Sequence, residues 1–157
     1  MCLVVKGSPK PIVACASPYA PSMRINVESP LTQKARESVL EFLLLNHPLD
    51  CFICDQGGEC DLQENSQKYG SDKSRNFRYM RRAVKNKNLG FIIKTEMNRC
   101  IHCEGCTRFY SVMTGKPLLG TLGRGWRTEI DTYFNSFLLS ELSGNLADRC
   151  PVGYFYI

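Results

Sequence analysis

The sequence predicts a small α+β fold with little regular sheet, organised around groups of cysteine. Three observations predict it. The chain has 157 residues, 43% of them hydrophobic, which allows one compact domain or two to three small modules. Nine cysteines stand beside only two histidines, and most of the cysteines fall in tight groups. Proline and glycine interrupt the chain so often that mostly short strands and helices fit between them.

The elements follow in order. Cys2-Leu3-Val4-Val5 reads as a short strand, and Pro9, Pro11, Pro18 and Pro21 forbid a long helix after it. Ser29-Pro30 reads as an N-cap followed by proline at the first helical position. It opens a helix over about 31–46 whose apolar face is Leu31, Ala35, Val39, Phe42 and Leu43. His47-Pro48 ends it, because the residue before proline disfavours helix. Between Cys51 and Cys60 a compact loop is expected, with Gly57-Gly58 allowing a tight reversal. A helix over 61–69 stops at Gly70. Residues 71–88 are polar and basic, and 89–94 form a strand candidate. From Cys100 a loop turns into a helix that ends at Gly115. Gly120, Gly123 and Gly125 mark turns, and a last short helix spans 136–142, ended by Ser143-Gly144-Asn145.

Composition excludes several classes. The longest strongly apolar run is Phe42-Leu43-Leu44-Leu45, far short of the roughly 20 residues of a membrane-spanning helix. A mean hydropathy of -0.23 argues against wholesale disorder. The net charge of +5 is compatible with acidic partners and too weak to imply nucleic acid alone. Gly120-x2-Gly123-x-Gly125 lacks the order of a dinucleotide fingerprint. An odd cysteine count rules out a fully paired disulfide set within one chain. Metal-held thiolates in a reducing compartment are the expected use, since two-residue gaps aim successive sulfurs at one point.

Two constellations carry that chemistry. His47-x3-Cys51-x2-Cys54-x5-Cys60 offers one imidazole and three thiolates. Zinc accepts such a set, and so does a four-iron cluster with one ligand per iron. Cys100-x2-Cys103-x2-Cys106 with a remote Cys150-Pro151 is the more specific pattern: a triplet at two-residue gaps, completed by a distant cysteine before proline, as in bacterial ferredoxins. His102, inside the triplet, is read as a neighbour of the site and not a ligand. Cys2 and Cys15 remain. They are either two free cysteines or half of a two-iron site completed from outside. Lys73, Arg75, Arg78, Arg81, Arg82, Lys85 and Lys87, interleaved with Phe77 and Tyr79, read as a solvated or protein-docking face before a nucleic-acid surface.

Extended strings around these residues are more specific than their spacing. Asn46-His47-Pro48-Leu49-Asp50-Cys51 continues through Cys54-Asp55-Gln56-Gly57-Gly58-Glu59-Cys60-Asp61-Leu62-Gln63. Lys94-Thr95-Glu96-Met97 precedes the triplet, followed by Gly123-Arg124-Gly125, Ser140-Glu141-Leu142-Ser143-Gly144-Asn145 and Cys150-Pro151-Val152-Gly153. In these strings the chain resembles the N-terminal iron–sulfur region of the large iron–sulfur subunit of respiratory complex I (NADH:ubiquinone oxidoreductase), over nearly its whole length.

The resemblance implies two 4Fe-4S clusters, one on His47, Cys51, Cys54 and Cys60 and one on Cys100, Cys103, Cys106 and Cys150. It implies three small modules: residues 1–28 as the second half of a plant-type ferredoxin domain, 29–70 around the His-ligated cluster, and 71–157 as a bacterial-ferredoxin-like module. Cys2 and Cys15 match the last two ligands of the family's 2Fe-2S cluster. The implied function is electron relay from NADH and flavin toward ubiquinone in the peripheral arm, with no complete substrate site on this chain and no catalytic residue. The first half of the ferredoxin domain and the large C-terminal domain have no counterpart among these residues. Either these residues are a fragment or the subunit is divided among polypeptides; division is the favoured expectation, with one companion chain supplying two thiolates to a shared 2Fe-2S cluster and another carrying the C-terminal domain where that domain is retained. The expected location is the matrix side of the mitochondrial inner membrane, the alternative being a bacterial cytoplasmic face. Competing readings are the electron-input module of an NAD-linked or iron-only hydrogenase, and a zinc-binding interaction module.

Overall fold

Short apolar runs between proline and glycine give mostly short elements, with the helix Pro30–Asn46 the exception. The computed structural model describes residues 1–7, 9–77 and 83–157. Its elements are β1 (Leu3–Val5), β2 (Pro11–Val13), α1 (Pro30–Asn46), α2 (Asp61–Tyr69), β3 (Lys94–Thr95), α3 (Gly105–Thr114), β4 (Leu119–Leu122), β5 (Glu129–Thr132), α4 (Asn145–Arg149) and β6 (Phe155–Tyr156). The strands pair as three two-stranded antiparallel ribbons, β1 with β2, β3 with β6, and β4 with β5. A two-stranded ribbon is marginal by itself, so side-chain packing has to hold each in place. The mixed class with little sheet agrees with expectation. Two units emerge, Met1–Leu45 with Asn65–Tyr79, and Asn46–Glu64 with Met80–Ile157.

In the first unit Leu3 stands opposite Val13 and Val5 opposite Pro11. Val5 also exchanges backbone bonds with Asn26, at 3.0 and 2.9 Å. Ser29 caps α1 as expected: its Oγ accepts from the Thr32 amide at 3.2 Å, and Pro30 is the first helical residue. The buried face of α1 differs from the expected one. Thr32, Arg36 and Leu40 are buried, while Leu31 and Phe42 are exposed. Arg36 is drawn inward by remote partners. Its Nη2 donates to the Leu3 carbonyl at 3.0 Å, and its guanidinium lies over the Tyr69 ring, 5.0 Å from the centroid. Gly70 closes α2 as expected, its amide bonding the Ser66 carbonyl at 2.8 Å.

The second unit holds most of the buried apolar side chains, among them Leu89, Met97, Ile130, Leu146, Val152 and Tyr154. The strand expected over 89–94 is reduced to β3. Gly90 takes a left-handed φ of 138° that bends the chain, and the buried Leu89 instead accepts from the Leu138 amide at 2.8 Å. The helix expected over 136–142 lies further on. Ser140 acts as a cap, accepting from the Leu142 amide at 3.3 Å, so a 3-10 turn covers Glu141–Gly144 and runs into α4. Ser143-Gly144-Asn145 therefore lies inside the helical run it was expected to end. Gly120 sits within β4 rather than at a turn; glycine is needed there because a side chain would collide with the Tyr133 ring. Gly123 and Gly125 do turn the chain, at φ 77° and 61°.

Candidate metal centres

His102 and Glu104 take left-handed backbone, φ 56° and 58°, and coil residues 100–104 into a tight loop before α3. Cys106 then stands on the first turn of α3, and Cys150 directly follows α4. Cys100, Cys103, Cys106 and Cys150 line one pocket together with Ile130, Val152 and Tyr154. Cys106 and Cys150 are buried and Cys103 faces outward. Burial, reinforced by the other three sulfurs, pushes the Cys106 thiol up to about 12. Burial also raises Cys150, while the backbone amides of Val152, Tyr154 and Phe155 pull it part of the way back. A bare set of four thiolates is thus unfavourable here, and positive charge in the pocket removes the penalty. A metal centre supplies that charge and releases the protons. Amides aimed at a ligand sulfur are also a recognised control of cluster potential; the His102 amide points at Cys100 Sγ, 3.4 Å away. These residues fit a four-iron cluster.

The His47 to Cys60 segment is a loop closed on itself. The Cys54 amide bonds the Cys51 carbonyl at 3.3 Å, and the Gly57 amide bonds the Cys54 carbonyl at 2.9 Å. A side chain at Gly57 would stand 2.6 Å from the Cys51 carbonyl oxygen, so only glycine allows the reversal. Cys54 and Cys60 both reach the segment that follows Cys150. Cys60 Sγ lies 3.6 Å from the Pro151 carbonyl, and Gly153 packs so closely on Cys54 Sγ that a Cβ would overlap it. His47 is half-buried with Nδ1 out of solvent, and Cys51 is exposed at the start of its turn. Among the described residues, no three His, Cys, Asp or Glu side chains are spaced to hold a single ion. A four-iron cluster asks for wider spacing, since each ligand binds its own iron.

Cys2 and Cys15 come together at the exposed end of the β1–β2 hairpin, with sulfurs 3.3 Å apart. Their mutual hydrogen bond lowers Cys2 and raises Cys15. The imidazole of His102 engages the Thr128 carbonyl through Nε2 at 2.7 Å, in keeping with a neighbour role. The basic stretch is no uniform face. Arg75 pairs with Glu41 and Lys87 with Glu129 and Asp131, while Arg78, Tyr79, Arg81 and Arg82 lie outside the described residues.

Two residues near the sites were not anticipated. Tyr154 is fully buried; burial and then the Cys100 and Cys106 sulfurs push its phenol far up, so it stays neutral and donates to the Ile130 carbonyl at 3.1 Å. Arg99 is 7% exposed and reaches Asp50 from beside Cys100. The signal for Arg99 was its place next to a ligand; nothing local indicates that it is buried.

Comparison with known proteins gives the family. Residues 36–75 match the family described as the NADH-ubiquinone oxidoreductase-G iron-sulfur binding region. Residues 90–156 match the NADH-quinone oxidoreductase subunit 3 ferredoxin-like domain. The NADH-ubiquinone oxidoreductase 75 kDa subunit of Reclinomonas americana is 58% identical over 154 residues, covering 98% of this chain and 22% of the relative. The mitochondrial NADH-ubiquinone oxidoreductase 78 kDa subunit of Neurospora crassa is 57% identical over 156 residues, covering 98% of this chain and 21% of the relative. An NADH-quinone oxidoreductase chain of the bacterium Rickettsia felis is 50% identical, covering 98% and 23%. The chain thus spans about a fifth of the length of these relatives. A chain of an NAD+-reducing [NiFe]-hydrogenase shares the fold, with a TM-score of 0.83 at 24% identity over 98% of this chain and 66% of that one. No described helix is long and apolar enough to cross a membrane. Along nearly its whole length, the chain is a homologue of the iron–sulfur region of the complex I 75/78 kDa subunit.

Proposed function

We propose that this chain is an electron-relay segment of complex I, carrying electrons from NADH and flavin toward ubiquinone through two 4Fe-4S clusters. One is held by His47, Cys51, Cys54 and Cys60 and the other by Cys100, Cys103, Cys106 and Cys150. The observation that carries the reading is the convergence of the last four cysteines on one pocket walled by Ile130, Val152 and Tyr154. When bound, each cluster supplies a one-electron store that needs no bond making or breaking. The protein's part is ligation, exclusion of water and adjustment of the potential. Residues 1–28, 29–70 and 71–157 are the functional modules in this reading. Other peripheral-arm chains are its partners and the matrix face of the inner mitochondrial membrane its place. Cys2 and Cys15, with sulfurs 3.3 Å apart, suit two ligands of one iron in a 2Fe-2S cluster whose other two thiolates lie outside residues 1–157.

The test uses the native complex with single serine substitutions. Cys103→Ser removes one four-iron EPR signal and reduces NADH-driven quinone reduction to background. Cys54→Ser removes a different four-iron signal. If both signals survive both substitutions, the ligand assignment is wrong.

A further inference from the structure

Arg99 joins the two sets of ligands. It precedes Cys100 in the chain, yet its side chain turns to the other loop. Nε and Nη2 both donate to Asp50 Oδ2, at 3.2 and 3.0 Å, and Asp50 precedes Cys51. Nη2 also reaches the carbonyl of Ile53 at 3.5 Å, just before Cys54. Nη1 donates to the carbonyl of Gly153 at 3.3 Å, the residue packed against Cys54 Sγ. One guanidinium therefore ties together the segments that carry Cys51 and Cys54, Cys100, and Cys150. It does so almost out of water, at 7% exposure.

A charge in that position has an electrostatic consequence. Gaining an electron adds one negative charge to the ligated centre and moves no atom. A fixed buried cation nearby favours the reduced state, and low local polarisability magnifies the effect. Burial works against the guanidinium's charge, but the Asp50 bonds and then the Cys54 sulfur hold it protonated. Asp50 offsets part of that charge, and Glu96 is the other acid that bears on it. Arginine suits the place because it never loses its proton and its planar fork serves three acceptors at once.

We propose that Arg99 is a positioning residue for the His47, Cys51, Cys54 and Cys60 centre and raises its reduction potential. The proposal rests on the four-iron reading of that ligand set. It concerns the charge of Arg99 as well as its hydrogen bonds, and the two are separable. Arg99→Lys keeps the charge and loses the fork; Arg99→Gln loses the charge.

The experiment is a redox titration of the assembled complex followed by EPR, with iron content measured on each variant. Arg99→Gln should shift the reduction equilibrium of the His-ligated centre at least tenfold toward the oxidised form, about 59 mV for a one-electron couple. The centre held by Cys100, Cys103, Cys106 and Cys150 should shift less, because the guanidinium bonds Asp50 and Ile53, beside Cys51 and Cys54. Arg99→Lys should stay within about threefold of the unsubstituted complex. Equal shifts in the two variants, or no shift in either, would overturn the proposal. If the glutamine variant assembles no His-ligated centre, the lysine variant decides: an unchanged midpoint supports the charge role, and a tenfold shift or a lost centre reduces Arg99 to a structural clamp. Cys54→Ser serves as the separate control. Survival of the signal in that variant would refute the ligand reading itself, whatever Arg99 does.

Discussion

The pocket of Cys100, Cys103, Cys106 and Cys150 and the pair Cys2 and Cys15 use the same side chain in opposite settings. The first is part of a core. Cys106 and Cys150 are buried beside Ile130, Val152 and Tyr154, and amides already point at Cys150. The second lies at the end of a two-stranded hairpin, where both cysteines are exposed and, among the described residues, the buried apolar side chains of the unit are Val4 and Leu40. If these four cysteines hold a cluster as proposed, a ligand set built into a core serves stability as well as electron storage, and losing it costs both. A pair on an exposed ribbon contributes chemistry and little folding energy, and it suits completion by thiolates from elsewhere.

Cys106→Ser tests the core side of this comparison with the largest expected effect. Iron should fall by one four-iron centre per chain, and the second unit should lose protection against hydrogen exchange, since a structural metal's binding energy is folding energy. Retained protection with lost iron would separate the centre from the core. Gly153→Ala should come next. Its Cβ overlaps Cys54 Sγ, and overpacking of this kind costs about 1–3 kcal/mol. The His-ligated EPR signal should weaken or change shape, and the all-cysteine signal should persist. An equal effect on both would mean that residues 150–153 respond as one rigid piece.

Tyr154→Phe sharpens the comparison without touching a ligand. It leaves the Ile130 carbonyl without its phenol partner, for about 1–3 kcal/mol. Denaturant melts should show that loss at unchanged iron content. Replacing Cys2 and Cys15 together by serine should have the smallest effect on folding, within about 0.5 kcal/mol, as for exposed sites. The same variant should remove a two-iron signal from the whole assembly. Survival of that signal would release both cysteines from the proposed role.

The legible and the illegible parts of the fold divide on a physical line. Boundaries set by neighbours along the chain were readable: Ser29-Pro30 opens α1, Gly70 closes α2, and Gly57 permits the reversal between Cys54 and Cys60. The tight loops expected at the cysteine groups belong to the same class, because the backbone bonds from Cys51 to Gly57 and the left-handed residues His102 and Glu104 are local devices. Contacts between remote residues were not readable. Arg36 lies on the buried face of α1 only because the Leu3 carbonyl and the Tyr69 ring receive it. The helix expected over 136–142 lost to the Ser140 cap and the Leu138–Leu89 backbone bond. Arg99 belongs here too, since its partners are some fifty residues away along the chain.

Cysteine groups that hold iron–sulfur clusters put iron and acid-labile sulfide into the assembly. The most direct measurement is the iron, acid-labile sulfide and zinc content of the native assembly, with EPR of the dithionite-reduced sample. Iron and sulfide are expected in equal amounts, with two four-iron signals that depend on this chain's cysteines. Zinc without labile sulfide at these residues would contradict that expectation and make the same thiolates a structural scaffold.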